Sequence, residues 1–96
     1  MIVRVEDAST LVNVSIEGEC TIYAAADLRT ALLPLVKDTR PLMVDLGGIT
    51  ALDCAGLQVL LALQKECSLA LFCNPAVCLQ QALDLLRLNR TFAIEA

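Results

Sequence analysis

The sequence contains no histidine. Without an imidazole there is no Ser-His-Asp or Cys-His nucleophile, no imidazole proton shuttle and no histidine metal ligand. Aromatic residues make up 3% of the 96 positions while hydrophobic residues make up 57%, so the expected core is aliphatic. Charged residues account for only 19%, and a chain this apolar is not a disordered one. Seven basic residues stand against eleven acidic ones, for a net charge of −4. They form no patch between Arg4 and Arg90, which argues against nucleic acid as a partner, because that affinity comes from clustered Lys and Arg. Long apolar runs are also missing. The charge-free stretch from Cys67 to Leu83 is split by Asn74-Pro75 and is shorter than a spanning helix. Arg4, Glu6 and Asp7 interrupt the N-terminus before a signal core can form. These features lead us to expect a soluble, cytoplasmic protein with no direct membrane insertion.

Five cysteines are present, Cys20, Cys54, Cys67, Cys73 and Cys78. The odd count and the absence of Cys-x-x-Cys spacing point to reduced thiols, most of them small core residues, and to no metal site.

No repeat, linker or low-complexity tract divides residues 1–96, which we treat as a single domain. Ile2 to Val5 reads as a short strand, and Thr10 to Ile16 alternates Val12, Val14 and Ile16 against Asn13 and Ser15. The polar stretch between them suggests an antiparallel hairpin, and Gly18 is expected to end the second strand. From Ala24 the spacing becomes helical, with Leu28, Ala31, Leu32, Leu35 and Val36 on one stripe, Thr21 as N-cap and a kink at Pro34. Leu42 to Leu46 and Leu69 to Cys73 read as strands apolar on both faces, as in a covered parallel sheet. Gly56 to Glu66 reads as a helix between them. A third helix, with Asn74 as N-cap, Pro75 at its first position and Asn89 as C-terminal cap, carries Leu79, Ala82, Leu83 and Leu86. Thr91 to Ile94 is an optional last strand. The order ββαβαβα, with that optional β, is a small α/β domain whose mainly parallel sheet is covered by helices.

In open sheets of this kind the functional crevice lies beyond the carboxyl ends of the strands. There the segment Gly47 to Leu57 is expected as a loop entering the second helix. Three readings of it remain open. A phosphate cradle is disfavoured, since Gly47-Gly48 lacks the Lys-Ser/Thr of a P-loop. An activated Cys54 thiol gains from a helix N-terminus but loses from adjacent Asp53. Alternatively Asp53 caps the helix and Gly56 permits close packing, a purely structural role.

Val44-Asp45-Leu46-Gly47-Gly48-Ile49, then Leu52-Asp53-Cys54-Ala55-Gly56-Leu57 and Leu60-Leu61, resembles the signature of the STAS domain, the sulphate-transporter and anti-sigma-factor-antagonist family. The likeness extends through the Gly18-Glu19 turn, Ala25 to Leu33, Asn74 to Val77 and Leu85 to Phe92. Gly18 to Ala25 is further similar to single-domain members associated with bacterial chemotaxis gene clusters. The resemblance implies a regulatory protein-binding module with no catalysis and no cofactor. Its implied partner is an anti-sigma-type serine kinase or a chemotaxis signalling protein. It also implies that a Ser or Thr following the motif aspartate would be phosphorylated, adding charge that disrupts docking. Asp53 matches that aspartate, but Cys54 stands at the acceptor position. The expectation is therefore a binder without the usual switch. Two alternatives are a redox sensor through Cys54 and a cytoplasmic subunit of a lipid or anion transporter. Expected contact residues are Asp53, Cys54, Ala55 and Gly56, flanked by Thr21, Tyr23 and Gln58. Tyr23 has the competing role of packing its ring. Leu61 is read as core, and Asp45 as a structural residue bonding loop amides at its strand end.

Overall fold

The computed structural model describes residues 1–67, 69–88 and 94–95. The elements run β1 (Ile2–Asp7), β2 (Val12–Cys20), α1 (Ile22–Val36), β3 (Leu42–Leu52), α2 (Cys54–Glu66), β4 (Ala70–Cys73), α3 (Val77–Leu85) and β5 (Ile94–Glu95). β1 and β2 form the expected antiparallel hairpin, from Ile2 opposite Glu17 to Asp7 opposite Val12. Its turn is closed by the Ala8 N–H donating to the Leu11 carbonyl at 2.9 Å. The other pairs are parallel, and the strands lie in the order β1-β2-β3-β4-β5.

Each crossover moves one place in the same direction. With right-handed connections this puts α1, α2 and α3 on one face of the sheet. Burial agrees. Val12, Val14, Ile16, Leu42, Val44, Leu46, Ala70 and Phe72 alternate along β2, β3 and β4 and are buried, whereas Met43, Asp45, Leu71 and Cys73 between them are only half-buried. Complete burial, read from the apolar β3 and β4, therefore holds for one face only. Because the strand order never reverses among the described residues, they form no switch-point crevice of the doubly wound kind.

The helices meet the inner face through Leu28 and Leu32 of α1, Leu57, Leu60 and Leu63 of α2, and Leu79 and Leu83 of α3. Each such fully buried side chain contributes about 1.5–3 kcal/mol relative to exposure. Leu61 is partly buried against this core. α1 begins at Ile22, ahead of the expected Ala24, and runs through Pro34 to Val36.

Three local readings are corrected. Asn74 does not cap α3: it adopts φ 51, and the N-cap position falls on Ala76. Leu86 is 47% exposed at the C-cap of α3, outside the core stripe. Beyond that cap the chain turns at Arg87, which takes φ 56 while the Arg87 N–H donates to the Asp84 carbonyl and the Leu88 N–H to that of Leu83. This is a Schellman closure. Asn89, the expected cap, lies outside the described residues, as does most of the expected strand Thr91 to Ile94.

One polar cluster ties the loop before β3 to the hairpin turn. Arg40 donates to Asp38 through Nε at 3.0 Å and Nη2 at 2.8 Å, to Asp7 at 2.8 Å and to the Ala8 carbonyl at 2.8 Å. The bonds from Arg40 to Asp38 pull the Asp38 carboxyl down to about 2.

Candidate functional site

β2 continues past Gly18, and β3 past Gly47-Gly48. Gly18 sits inside β2 at φ 100, a conformation glycine adopts without strain. The β2–β3 register slips between Ser15 and Glu17 and again between Gly18 and Glu19. Such bulges increase twist and re-aim a strand. Both strands then run on until Cys20 lies opposite Leu52. The stretch from Gly47 to Leu52, expected as loop, is therefore strand, and only Asp53 separates it from α2.

The paired strand ends bring Thr21 and Asp53, the residues that enter α1 and α2, close together. The Asp53 N–H donates to the Cys20 carbonyl at 3.4 Å. The Asp53 carboxylate caps both helices: Oδ1 accepts from the Gly56 N–H at 3.0 Å and Oδ2 from the Ile22 N–H at 2.8 Å. Thr21 occupies the N-cap position of α1, but its side chain makes no capping bond. Asp53 supplies that cap from the neighbouring element. The Gly56 N–H, and after it the Ile22 N–H, hold the Asp53 carboxyl below its ordinary value of 3.8.

Gly56 is buried, and a Cβ there would collide with the Cys20 carbonyl oxygen. The missing side chain lets α2 sit against the end of β2, which is the close-packing role read for Gly56. Burial, with Asp53 and Cys78 nearby, raises the Cys20 thiol to about 11.

Above this base the surface is open. Cys54, the first residue of α2, is exposed, as is Gln58 one turn on, while Asp53, Ala55 and Thr21 are half-buried. Tyr23 is 95% exposed, so its ring does not pack, and neighbouring Ile22 is 66% exposed. Beside Cys54 a groove of about 160 Å³ is lined by Leu52, Leu57, Ala82, Leu85 and Leu86. The sequence reading missed Ile22 and Leu85, the latter 82% exposed. The available signal was an apolar residue outside the stripe of its own helix.

At the far side of β3, Asp45 Oδ1 accepts from the Gly47 N–H at 2.8 Å and from Asn74 Nδ2 at 3.1 Å. Asp45 thus bonds an amide as read, but β3 runs on to Leu52, so both it and Gly47 lie within the strand and not at its end. A wider opening beside it, of about 580 Å³, is lined by Thr50, Asn74, Val77 and Gln81 and by no Lys or Arg. Among the described residues no group of three His, Cys, Asp or Glu side chains is placed to hold a metal ion, and no helix is long and apolar enough to cross a membrane.

The family model described as Mlab, STAS domain, matches residues 3–92. An anti-sigma factor antagonist from Mycobacterium paratuberculosis has a similar structure, with a TM-score of 0.84 and 26% identity over 97% of this chain and 83% of that one. The Bacillus cell fate determinant SpoIIAA in its phosphorylated form gives 0.70 and 14%, over 99% of this chain and 91% of that one. Unphosphorylated SpoIIAA, an anti-sigma factor antagonist, gives 0.66 and 13%, over 88% and 83%. At those identities the SpoIIAA likeness speaks for the fold alone. No curated protein matches, and these matches lend no support to the narrower chemotaxis-associated resemblance.

Proposed function

Since this chain belongs to the STAS domain family, we propose that it is a non-catalytic regulatory module that docks a protein partner through the tip of α2 and lacks the phosphorylation switch. The observation that carries the reading is the arrangement at Asp53-Cys54. Asp53 is spent on two backbone amides, which fixes the tip, and the side chain presented next is a thiol. A serine kinase transfers phosphate to a hydroxyl, and Cys54 has none. The surrounding side chains suit a protein surface: exposed Tyr23 and Ile22 provide apolar area, and the groove beside Cys54 offers a recess for a partner's apolar anchor. An anti-sigma-type kinase or a chemotaxis protein is the partner that fits this reading.

The test is retention of proteins from native lysate on the immobilised chain. The parent and Cys54→Ser should retain the same partner, and Cys54→Asp, which places a negative charge where phosphate would stand, should lose it. If the partner is a kinase, Cys54→Ser should also take up phosphate from ATP while the parent does not. Stoichiometric phosphate on the parent tip, or equal retention by Cys54→Asp, contradicts the proposal. Recovery of a transporter ATPase from the membrane fraction favours the transporter-subunit alternative. The redox alternative draws on one observation: Cys54 is the exposed cysteine, and the other four are buried or half-buried.

A further inference from the structure

β1 is an outer strand: it pairs with β2 on one side, and among the described residues no strand lies on the other. All its residues but Val3 are exposed, with Ile2 at 51% and Val5 at 43%. An open edge of this kind is a template for another chain. The hairpin register fixes which way its side chains face. Ile2, Arg4 and Glu6 lie opposite Glu17, Ser15 and Asn13 on the helix-free face, while Val3, Val5 and Asp7 lie opposite Ile16, Val14 and Val12 on the helix side.

Two copies meeting edge to edge in antiparallel fashion are related by a two-fold axis perpendicular to the sheet. Residues directly opposite one another then point to the same face, which allows only registers centred on a residue. Two such registers use most of β1. Centring on Arg4 pairs residues 2–6 and sets Arg4 against its own copy, a like-charge contact. Centring on Val5 pairs residues 3–7. Arg4 then faces Glu6 of the second copy on both sides of a Val5 contact. The outer pair sets Val3 against Asp7, whose charge is already held by Arg40 at 2.8 Å. Arg4 has freedom to reorient, since its ion pair with Glu17 spans 3.7 Å and its side chain is 65% exposed.

We propose that two copies of this chain associate through β1, antiparallel and centred on Val5, into one continuous sheet. A short edge and a net charge of −4 on each copy keep the association weak. The edge shares no residue with the docking tip, so both tips remain available and the inference does not depend on what they bind.

Sedimentation velocity over a concentration series tests this. The parent should show a monomer–dimer equilibrium across the series. Glu6→Arg alone, and Arg4→Glu alone, should each weaken self-association about tenfold or more, since two cross-strand pairs turn repulsive together. An equimolar mixture of these two variants should recover dimers, because each supplies the charge the other lacks. A parent that stays monomeric to about 1 mM, or variants that dimerise as the parent does, overturns the proposal. A Val5→Lys variant, which sets two ammonium groups together at the axis, gives an independent reading and should also be monomeric.

Discussion

The Asp53 carboxylate accepts the Ile22 N–H at 2.8 Å across a sequence separation of 31. The same group caps its own helix at Gly56. One side chain thereby closes the first turns of α1 and α2, whose amides carry the positive ends of two helix dipoles. The fold itself fixes the tip, which under the proposed function lowers the ordering cost of docking.

Asp53→Asn should lower the melting temperature by a few degrees at neutral pH, because an amide keeps one acceptor and loses the charge. The acid limb should change as well. A carboxyl held below its unfolded value contributes stability that is complete above that value and is lost as pH falls through the folded one. Asp53 and Asp38 both lie below 3.8, Asp38 at about 2. The parent should therefore lose stability between about pH 4 and pH 2, and the variant should lose less over that interval. Thermal melts at several pH values check both parts.

Gly56→Ala should destabilise the fold by about 1–3 kcal/mol, although alanine is the better helix former. The new Cβ meets the Cys20 carbonyl oxygen, a backbone atom that cannot swing aside. Urea denaturation giving a stabilised variant would mean that α2 and β2 are further apart than described.

What could be read in the chain beforehand was local and periodic. The alternation of Val12, Val14 and Ile16 gave β2, and the spacing of Leu57, Leu60 and Leu63 gave α2; both patterns depend only on which face is buried. Gly18 and Gly47-Gly48 looked like breaks because a glycine seen alone marks an end. Pairing with the neighbouring strand turns Gly18 into a bulge and carries β3 on to Leu52. Arg87 in a left-handed conformation carries no sequence signal, since arginine is not favoured there. Asp53 was legible as a cap for α2, but its bond to Ile22 is a product of the tertiary fold, as is the exposure of Leu85.

Arg87→Gly should stabilise the protein by about 0.5–1 kcal/mol, since φ 56 crowds an L side chain and suits glycine. A raised urea midpoint with unchanged slope is the expected result. A fall would mean that the Arg87 side chain makes a contact worth more than the relieved strain.

Tyr23→Ala should leave folding stability within about 0.5 kcal/mol, because a side chain 95% exposed loses no packing. Partner retention should drop about tenfold, as for an aromatic anchor. Unchanged retention would place the docking surface away from the start of α1.

Alkylation of the native protein with iodoacetamide, followed by peptide mass analysis, should modify Cys54 first and Cys20 last. Cys54 is exposed, whereas Cys20 is buried with its thiol raised to about 11, which leaves little reactive thiolate. Labelling of all five only on unfolding would count against a sensing role for Cys54.

The strand order β1-β2-β3-β4-β5 has a bearing on how the molecule is made. As the polypeptide leaves the ribosome, every new strand finds its neighbour already synthesised, so the sheet can grow by accretion from the hairpin without reserving a gap for a later segment. Assembly of this kind keeps loop-closure distances short, which favours rapid folding and limits the time that apolar strands such as β3 spend uncovered during translation.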